Sequence, residues 1–309
     1  MKKLIFIFLF FIIIINTAFC EPSDEYILIA SRLFYDGYSH EAIQTLIEAI
    51  RLYPNNAMLH AILGNAYYHI NDTALSLEYL SRAIELDRTI SVIFAIRAQV
   101  FESINDYDRA LNDFNMTIYL EPENDEYYWQ RGNFLYTCLN YSEQALNDFN
   151  RAIEINPLNY IIFHQRGEFF ISQGQNELAL NDFNEAIKLN NEDAKSFISR
   201  GNTFFRLGKH KEAMEDFDTA IMLDSRDFRG FFGRGLSNIK LGRFNEAISD
   251  FTEMIKLDHT LSYAFLNRSI AYRFLANQVS HDSILDAWQY LQMAQEDEEH
   301  ANRLNNWRY

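Results

Sequence analysis

Two kinds of charged residue recur along this chain at nearly constant spacing. An arginine returns every 34 or 35 residues, and an aspartate follows most of these arginines by 16 or 17 residues. A guanidinium and a carboxylate form a two-point ion pair, so such a row could stabilise a fold or bind charged ligands. We expect a structural ladder with guanidiniums shared between carboxylates, because almost every arginine has a matching aspartate. The ladder residues are Arg97, Asp113, Arg131, Asp148, Arg166, Asp182, Arg200, Asp216, Arg234, Asp250 and Arg268.

Residue patterns typical of catalysis or metal binding are missing from the sequence. The eight histidines are scattered, and the chain has no glycine-rich phosphate loop, no His-Glu-x-x-His motif and no Cys-x-x-Cys motif. Cys138 is predicted to be a buried thiol that fills an irregular position, because a lone cysteine serves in packing more often than in catalysis. We therefore expect no enzymatic activity, no cofactor and no bound metal.

A second regularity predicts the elements that carry the ladder. Seven residues lie 34 or, once, 35 positions apart, and each is Gly or Asn, the residues that most easily adopt the left-handed conformation that ends a helix. This period predicts one helical hairpin repeated along the chain. The single extra residue falls between Gly132 and Asn140, in the first helix of the fourth hairpin. The seven turn residues are Gly37, Asn71, Asn105, Asn140, Gly174, Gly208 and Gly242.

Within each hairpin, small and large residues alternate as helix packing requires. The first helix carries a small residue seven or eight positions before the turn, such as Gly64 or Gly201. The second helix carries a small–large–small triplet on one face, such as Ala145, Phe149 and Ala152. A small residue lets the partner helix approach closely, and the large residue fills the space beside it.

These patterns resemble the tetratricopeptide repeat, most clearly in Leu63 to Tyr68 and in Ala145 to Pro157. The resemblance implies an all-α, right-handed superhelical solenoid of antiparallel helix pairs, whose first helices line a concave groove for peptides or partner proteins. Seven full repeats are predicted, at 23–56, 57–90, 91–124, 125–159, 160–193, 194–227 and 228–261. Residues 262–309 form a degenerate eighth repeat with an insertion and a C-terminal capping helix, on which Ala287, Leu291 and Ala294 are predicted to be buried.

The first twenty residues differ from the rest of the chain. Lys2 and Lys3 precede an unbroken apolar run from Leu4 to Ile15, which predicts a signal peptide over residues 1–20 and an exported protein. Cleavage after Cys20 would change the net charge from −16 to −18, because two lysines are removed. An uncleaved anchor or lipidation of Cys20 is the alternative.

The predicted groove changes its charge along the chain. Counted from the small residue of each first helix, positions −6, −3, +1, +4 and +5 share one face, which we call the groove face. In repeats six to eight this face carries bases and aromatic residues, which predicts a site for an acidic segment or a C-terminal carboxylate. Neutralisation of acids on neighbouring helices is an equally weighted alternative. The predicted site comprises Lys195, Asn202, Phe205, Arg206, Arg229, Phe232, Lys240, Arg273 and Phe274, and a weaker second patch comprises Tyr35, Tyr68, Trp129 and Tyr136.

Together these features predict a non-enzymatic protein-interaction scaffold that acts outside the cytoplasm. Its strong acidity argues against nucleic acid as a partner, and a membrane would be involved only through Cys20 or an uncleaved signal. The alternative function is an envelope-anchored assembly factor that organises membrane or outer-envelope proteins.

Overall fold

A computed structural model describes residues 22–278 and 284–306, and all of their regular secondary structure is α-helical. The predicted signal peptide at residues 1–20, with Cys20, lies outside the described residues. Among the described helices, none combines the length and apolar character needed to cross a bilayer. The helices are α1 (Pro22–Tyr35), α2 (Ser39–Leu52), α3 (Ala57–His69), α4 (Thr73–Leu86), α5 (Ser91–Ser103), α6 (Tyr107–Leu120), α7 (Asp125–Thr137), α8 (Ser142–Ile155), α9 (Tyr160–Ser172), α10 (Asn176–Leu189), α11 (Ala194–Arg206), α12 (His210–Leu223), α13 (Phe228–Lys240), α14 (Phe244–Leu257), α15 (Ser262–Gln278) and α16 (Ile284–Asn306).

Consecutive helices form hairpins, in which each odd-numbered helix packs against the even-numbered helix that follows it. All seven predicted turn residues have positive φ, from 56° at Asn140 to 88° at Gly37. This conformation reverses the chain and directs backbone N–H groups towards the last carbonyls of the first helix; the N–H of Lys209, for example, donates to the carbonyl of Phe204 at 2.9 Å. The hairpins follow one another in the predicted order, and the repeat bounds themselves stay a prediction.

The chain divides into two compact units, the first ending at Asn156 and the second beginning at Pro157. The first unit contains α1 to α8, and its core includes Ala145, Phe149 and Ala152, which are fully buried. The second contains α9 to α16 and follows the same packing rule. A Cβ atom placed on Gly201 would lie 2.9 Å from the ring of Phe217, so this glycine allows the two helices of its hairpin to approach closely.

The position of the extra residue corrects one sequence prediction. Helix α7 has 13 residues, like α5 and α9, and therefore does not contain an insertion. The extra residue lies in the connection from α7 to α8, which runs over 138–141, whereas the turns within the other three hairpins of this unit have three residues. A loop residue is accommodated at the surface without disturbing the helix packing.

The last hairpin is longer than the others. Helices α15 and α16 have 17 and 23 residues, against 13 and 14 in the preceding hairpin. On α16, Ala294 is fully buried as predicted, but Leu291 is 40% exposed, which corrects its predicted burial. The side chain of Leu291 therefore faces solvent in the described structure.

Candidate functional site

The ladder arginines pair with aspartates of their own hairpins. Each guanidinium donates through Nε and Nη2 to the two oxygens of one carboxylate, at 2.7 and 2.8 Å for Arg97 and Asp113. The aspartates are 3–6% exposed and lie next to the buried aromatic residue of the second helix. The remaining pairs are Arg131–Asp148, Arg166–Asp182, Arg200–Asp216 and Arg234–Asp250.

The predicted sharing of guanidiniums between successive ladder aspartates is wrong. The third nitrogen, Nη1, instead reaches the residue two positions after the preceding hairpin's aspartate in Arg131, Arg200, Arg234 and Arg268; Arg200, for example, donates to Asn184 at 2.8 Å. The preceding aspartate holds its own arginine, and the Nη1 group of the next arginine bonds this other side chain instead. Among the described ladder residues, only Arg234 is shared between two carboxylates, those of Asp250 and Asp218.

The ladder continues into the last hairpin, which the sequence spacing did not reveal. Arg268 donates to both oxygens of Asp297 at 2.8 and 2.7 Å, over a separation of 29 residues. Each ladder arginine also lies over an aromatic ring; the guanidinium of Arg200 is 5.6 Å from the ring centre of Phe197. Burial raises the pKa of the Asp216 carboxyl, and the paired Arg200 opposes this rise. These residues therefore connect and stabilise the hairpins and are not available to a ligand.

The bases predicted for the groove face of the second unit fall into two groups. Arg229 pairs with Asp227 at the start of its own helix, and Arg273 pairs with Glu298 of α16 at 2.8 Å. The exposed side chains of Arg206, Lys240 and Asn202 form neither a hydrogen bond nor an ion pair with any described residue. Lys195 is half-buried at the start of α11.

The aromatic residues of this face are held by neighbouring rings. Phe232 packs edge-on against Tyr263 at 5.3 Å, and Phe205 lies 5.0 Å from the ring of His210. Phe274 stacks almost parallel on Phe244, with ring centres 5.1 Å apart, and is still 45% exposed. Phe274 therefore presents a supported apolar surface to solvent.

The second, weaker patch is more enclosed. Tyr68, Trp129 and Tyr136 are half-buried, and only Tyr35, at the end of α1, is largely exposed. The Tyr68 hydroxyl is hydrogen-bonded to Ser103, and burial raises its pKa. Tyr68, Trp129 and Tyr136 therefore present little free surface, and Tyr35 is the exposed member of the patch.

Cys138 lies in the turn that contains the extra residue. Its thiol donates a 3.4 Å hydrogen bond to Glu102, and burial raises the pKa of both groups. A nucleophilic cysteine needs a lowered pKa and a nearby positive charge, so this environment does not activate the thiol. The described part of the chain also contains no cluster of side chains suited to a metal ion.

Sequence reasoning missed a difference at the N-caps of the second helices. In the first unit, Asp72 and Asp106 hold these positions and accept hydrogen bonds from the backbone N–H groups of Leu75 and Arg109. In the second unit, Lys209 and Arg243 hold the same positions and make no side-chain cap bond. The signal was present in the sequence, because each residue directly follows a turn Gly or Asn.

The fold and the repeating ladder define the class of this protein, an all-α array of helical hairpins. Sequence models described as tetratricopeptide repeat match residues 27–89 and 194–227, and one described as TPR repeat matches residues 167–208. No curated protein is significantly similar to the chain in sequence. The chain is a tetratricopeptide repeat protein.

Solved structures with the same fold come from different biological settings. A tetratricopeptide repeat protein from Parabacteroides merdae has a TM-score of 0.61 at 21% identity, covering 81% of this chain and 98% of that one. PilW, a type IV pilus biogenesis factor, has a TM-score of 0.60 at 17% identity and covers 67% and 96%. Yeast Tom70 has a TM-score of 0.61 at 18% identity and covers 92% and 66%. At these identities the similarity establishes the fold alone.

Proposed function

We propose that this protein is a non-enzymatic scaffold that binds a partner protein or an acidic peptide segment on the groove face of its second unit. The observation that carries the proposal is the exposure of Arg206, Asn202 and Lys240 without partners among the described residues. Tetratricopeptide repeats generally act by binding other proteins. The ladder pairs stabilise every hairpin that contains them, whereas the residues of the groove face differ from hairpin to hairpin and can select a partner.

The charge of the whole chain supports an acidic ligand at these bases. In a protein of net charge −16, unpaired exposed bases on one face concentrate the available positive potential there. Asn202 adds both a hydrogen-bond donor and an acceptor, which suits the backbone of an extended peptide. Phe274 adds an apolar contact on the same face of α15, in the last hairpin.

The basic start and apolar run of residues 1–15 support export across a membrane. Mass spectrometry of the mature protein tests this step directly. A free N-terminus at Glu21 supports cleavage after Cys20, whereas a lipid on Cys20 supports the envelope-anchored assembly factor. An intact Met1 in protein found in the cytoplasm contradicts both.

Affinity capture tests partner binding. The wild type is compared with the Lys195→Glu/Arg206→Glu/Arg229→Glu variant, and with a control of equal charge change, Lys188→Glu/Arg226→Glu/Lys256→Glu. We expect a partner that the control retains and the groove variant loses. Identical partner sets for all three proteins would contradict binding on the groove face.

A further inference from the structure

The connecting turns of the sixth and seventh hairpins are basic. Residues 206–211 include Arg206 and Lys209, residues 240–245 include Lys240 and Arg243, and neither segment contains an acidic residue. All four side chains are exposed, and none forms an ion pair with a described residue. We call these four residues the basic turn edge.

Two of these bases occupy positions where a base opposes helix stability. Lys209 and Arg243 are the N-cap residues of α12 and α14, and they make no side-chain cap bond. The N-terminus of a helix favours an acceptor side chain and a negative charge, so a cation there is unfavourable. Lys209 does contact the ring of Phe204, with its Nζ 5.9 Å from the ring centre, but an exposed contact of this kind stabilises a fold only weakly. Residues that break a local folding rule are often functional.

The other two bases have a simpler structural explanation, which the N-cap bases do not share. Arg206 and Lys240 lie in the last turns of α11 and α13, where a positive charge is favourable. The dipoles of the following helices, α12 and α14, oppose Lys209 and Arg243 at their N-termini. Helix stability alone therefore explains only half of the basic turn edge.

The repeat places these residues in two parallel rows. Arg206, Lys240 and Phe274 are equivalent positions of α11, α13 and α15, and Lys209 and Arg243 are equivalent positions of the turns that follow. Helix α11 contacts α13, and α13 contacts α15. Packed helices are about 8–10 Å apart. An extended peptide in the polyproline II conformation covers this distance in about three residues, at about 3.1 Å per residue, and its side chains three positions apart point in the same direction.

We propose that the basic turn edge and Phe274 bind an extended segment with two acidic residues three positions apart and a large apolar residue three positions further. Each acidic residue would meet one pair of bases, Arg206 with Lys209 or Lys240 with Arg243. The apolar residue would pack on the exposed face of Phe274, which Phe244 holds in place. This inference rests on the proposed function and specifies the residue pattern of the bound segment.

Fluorescence anisotropy with labelled peptides tests the spacing. The first peptide has Glu at positions one and four and Phe at position seven, separated by Gly and Ser. A second has the same composition with the two Glu residues adjacent, and a third has Gln in place of Glu. With the purified protein we expect the first peptide to bind at least about fivefold more tightly than the other two. Equal affinities for the first and second peptides would overturn the proposed spacing.

The Lys209→Gln/Arg243→Gln variant tests the surface, because it removes two charges outside the groove face. We expect it to bind the first peptide about tenfold more weakly, while the control Lys188→Gln/Lys256→Gln stays within twofold of the wild type. The Lys209→Asp/Arg243→Asp variant should lose binding while its melting temperature rises, which separates lost binding from lost folding. Unchanged peptide affinity in both N-cap variants would overturn the inference. If the Lys195→Glu/Arg206→Glu/Arg229→Glu variant still lost the captured partner in that case, the proposed function would stand and only the proposed peptide ligand would be wrong.

Discussion

The turns within the hairpins have the same backbone conformation in both units but carry side chains of opposite charge. In the first unit the turns within the hairpins carry Asp36, Asp72 and Asp106 and contain no lysine or arginine, whereas in the second unit the turns at 173–175, 207–209 and 241–243 carry Lys209 and Arg243 and contain no acid. The conformation at the turn residue is left-handed in both. The repeat therefore dictates the path of the chain but leaves the charge of the exposed turn side chains open, and this is where the two units differ in what they can bind.

The buried parts of the two units, in contrast, follow one rule. Both contain a ladder of arginines paired with aspartates that are almost fully buried, and both place small residues opposite large aromatic ones. The difference in turn charge between the units thus lies at the surface. Substitutions in the ladder should affect the two units alike, and substitutions in the turns should affect them in opposite directions.

The largest effect is expected for loss of a ladder arginine. Arg200→Leu in the second unit and Arg131→Leu in the first each leave an aspartate buried without its counter-charge. A broken buried ion pair costs about 3–5 kcal/mol, and partial exposure of these arginines favours the lower value, about 3 kcal/mol. Urea denaturation measures the free energy of unfolding, with exposed Arg206→Leu as the control that should change it by less than about 0.5 kcal/mol. If only one of the two variants lost stability, the interiors of the two units would not be equivalent.

Much of the fold could be predicted because its signals are local and repeat. The turn residues, the small–large–small triplets and the Arg–Asp spacing each recur in register, so the hairpins and most ion pairs follow from the sequence. The partner of Arg268 could not be found in this way, since the insertion moves Asp297 out of the regular spacing. A constant spacing reveals a contact only where the chain between the two residues has a constant length.

The candidate site was less predictable, because side-chain direction decides which bases are available. Arg229 lies on the predicted face, yet it turns back to Asp227, two residues earlier, and Arg273 reaches Glu298 on a helix beyond the insertion. Neither contact changes the helical pattern from which the face was derived. The N-cap role of Lys209 also depends on the helix boundary, which periodicity fixes only to within a few residues.

Exchanging the N-cap charges should shift stability in opposite directions in the two units. Lys209→Asp supplies a cap to α12 and removes an unfavourable cation, so we expect a gain of about 1 kcal/mol in the free energy of unfolding. Asp72→Lys removes the cap bond to Leu75 and should lose about 1 kcal/mol. Thermal unfolding followed by circular dichroism shows whether each variant is more or less stable than the wild type. A loss of stability in Lys209→Asp would show that the lysine contributes to folding and would weaken the case for a binding role.

The turn residues themselves provide a smaller test. Gly208 has φ +73°, and a Cβ atom at this position would meet no atom within 4 Å, so Gly208→Ala should cost about 1 kcal/mol through backbone strain alone. Asn105 in the first unit has φ 60° and accepts a hydrogen bond from the Tyr107 hydroxyl at 2.8 Å. Asn105→Gly relieves the backbone but removes this exposed bond, so it should change the stability by less than about 0.5 kcal/mol. The same denaturation measurements apply. If Gly208→Ala had the same stability as the wild type, the turn would be able to leave the left-handed conformation without an energetic cost.

The smallest effect concerns a half-buried carboxyl group on the groove face of the first unit. Burial raises the pKa of Glu102, and its contacts are the Cys138 thiol and the nearby Tyr68 hydroxyl, with no base as a partner in the described chain. Because the folded pKa lies above the unfolded one, the fold favours the protonated form. This contribution is fully present below the ordinary glutamate pKa, near 4.5, and is lost as the pH rises through the raised value.

Glu102→Gln should therefore leave stability almost unchanged at pH 4 and raise it at pH 7, by less than about 1 kcal/mol because solvent screens the group. The matched change in the second unit is Glu168→Gln. The Glu168 carboxylate accepts a hydrogen bond from Ser199 and lies near Arg229, so its neutralisation should bring no gain at pH 7. Urea denaturation at the two pH values separates these outcomes. A gain in both variants would show that the groove faces disfavour acids alike, and the charge contrast between the units would then be confined to their turns.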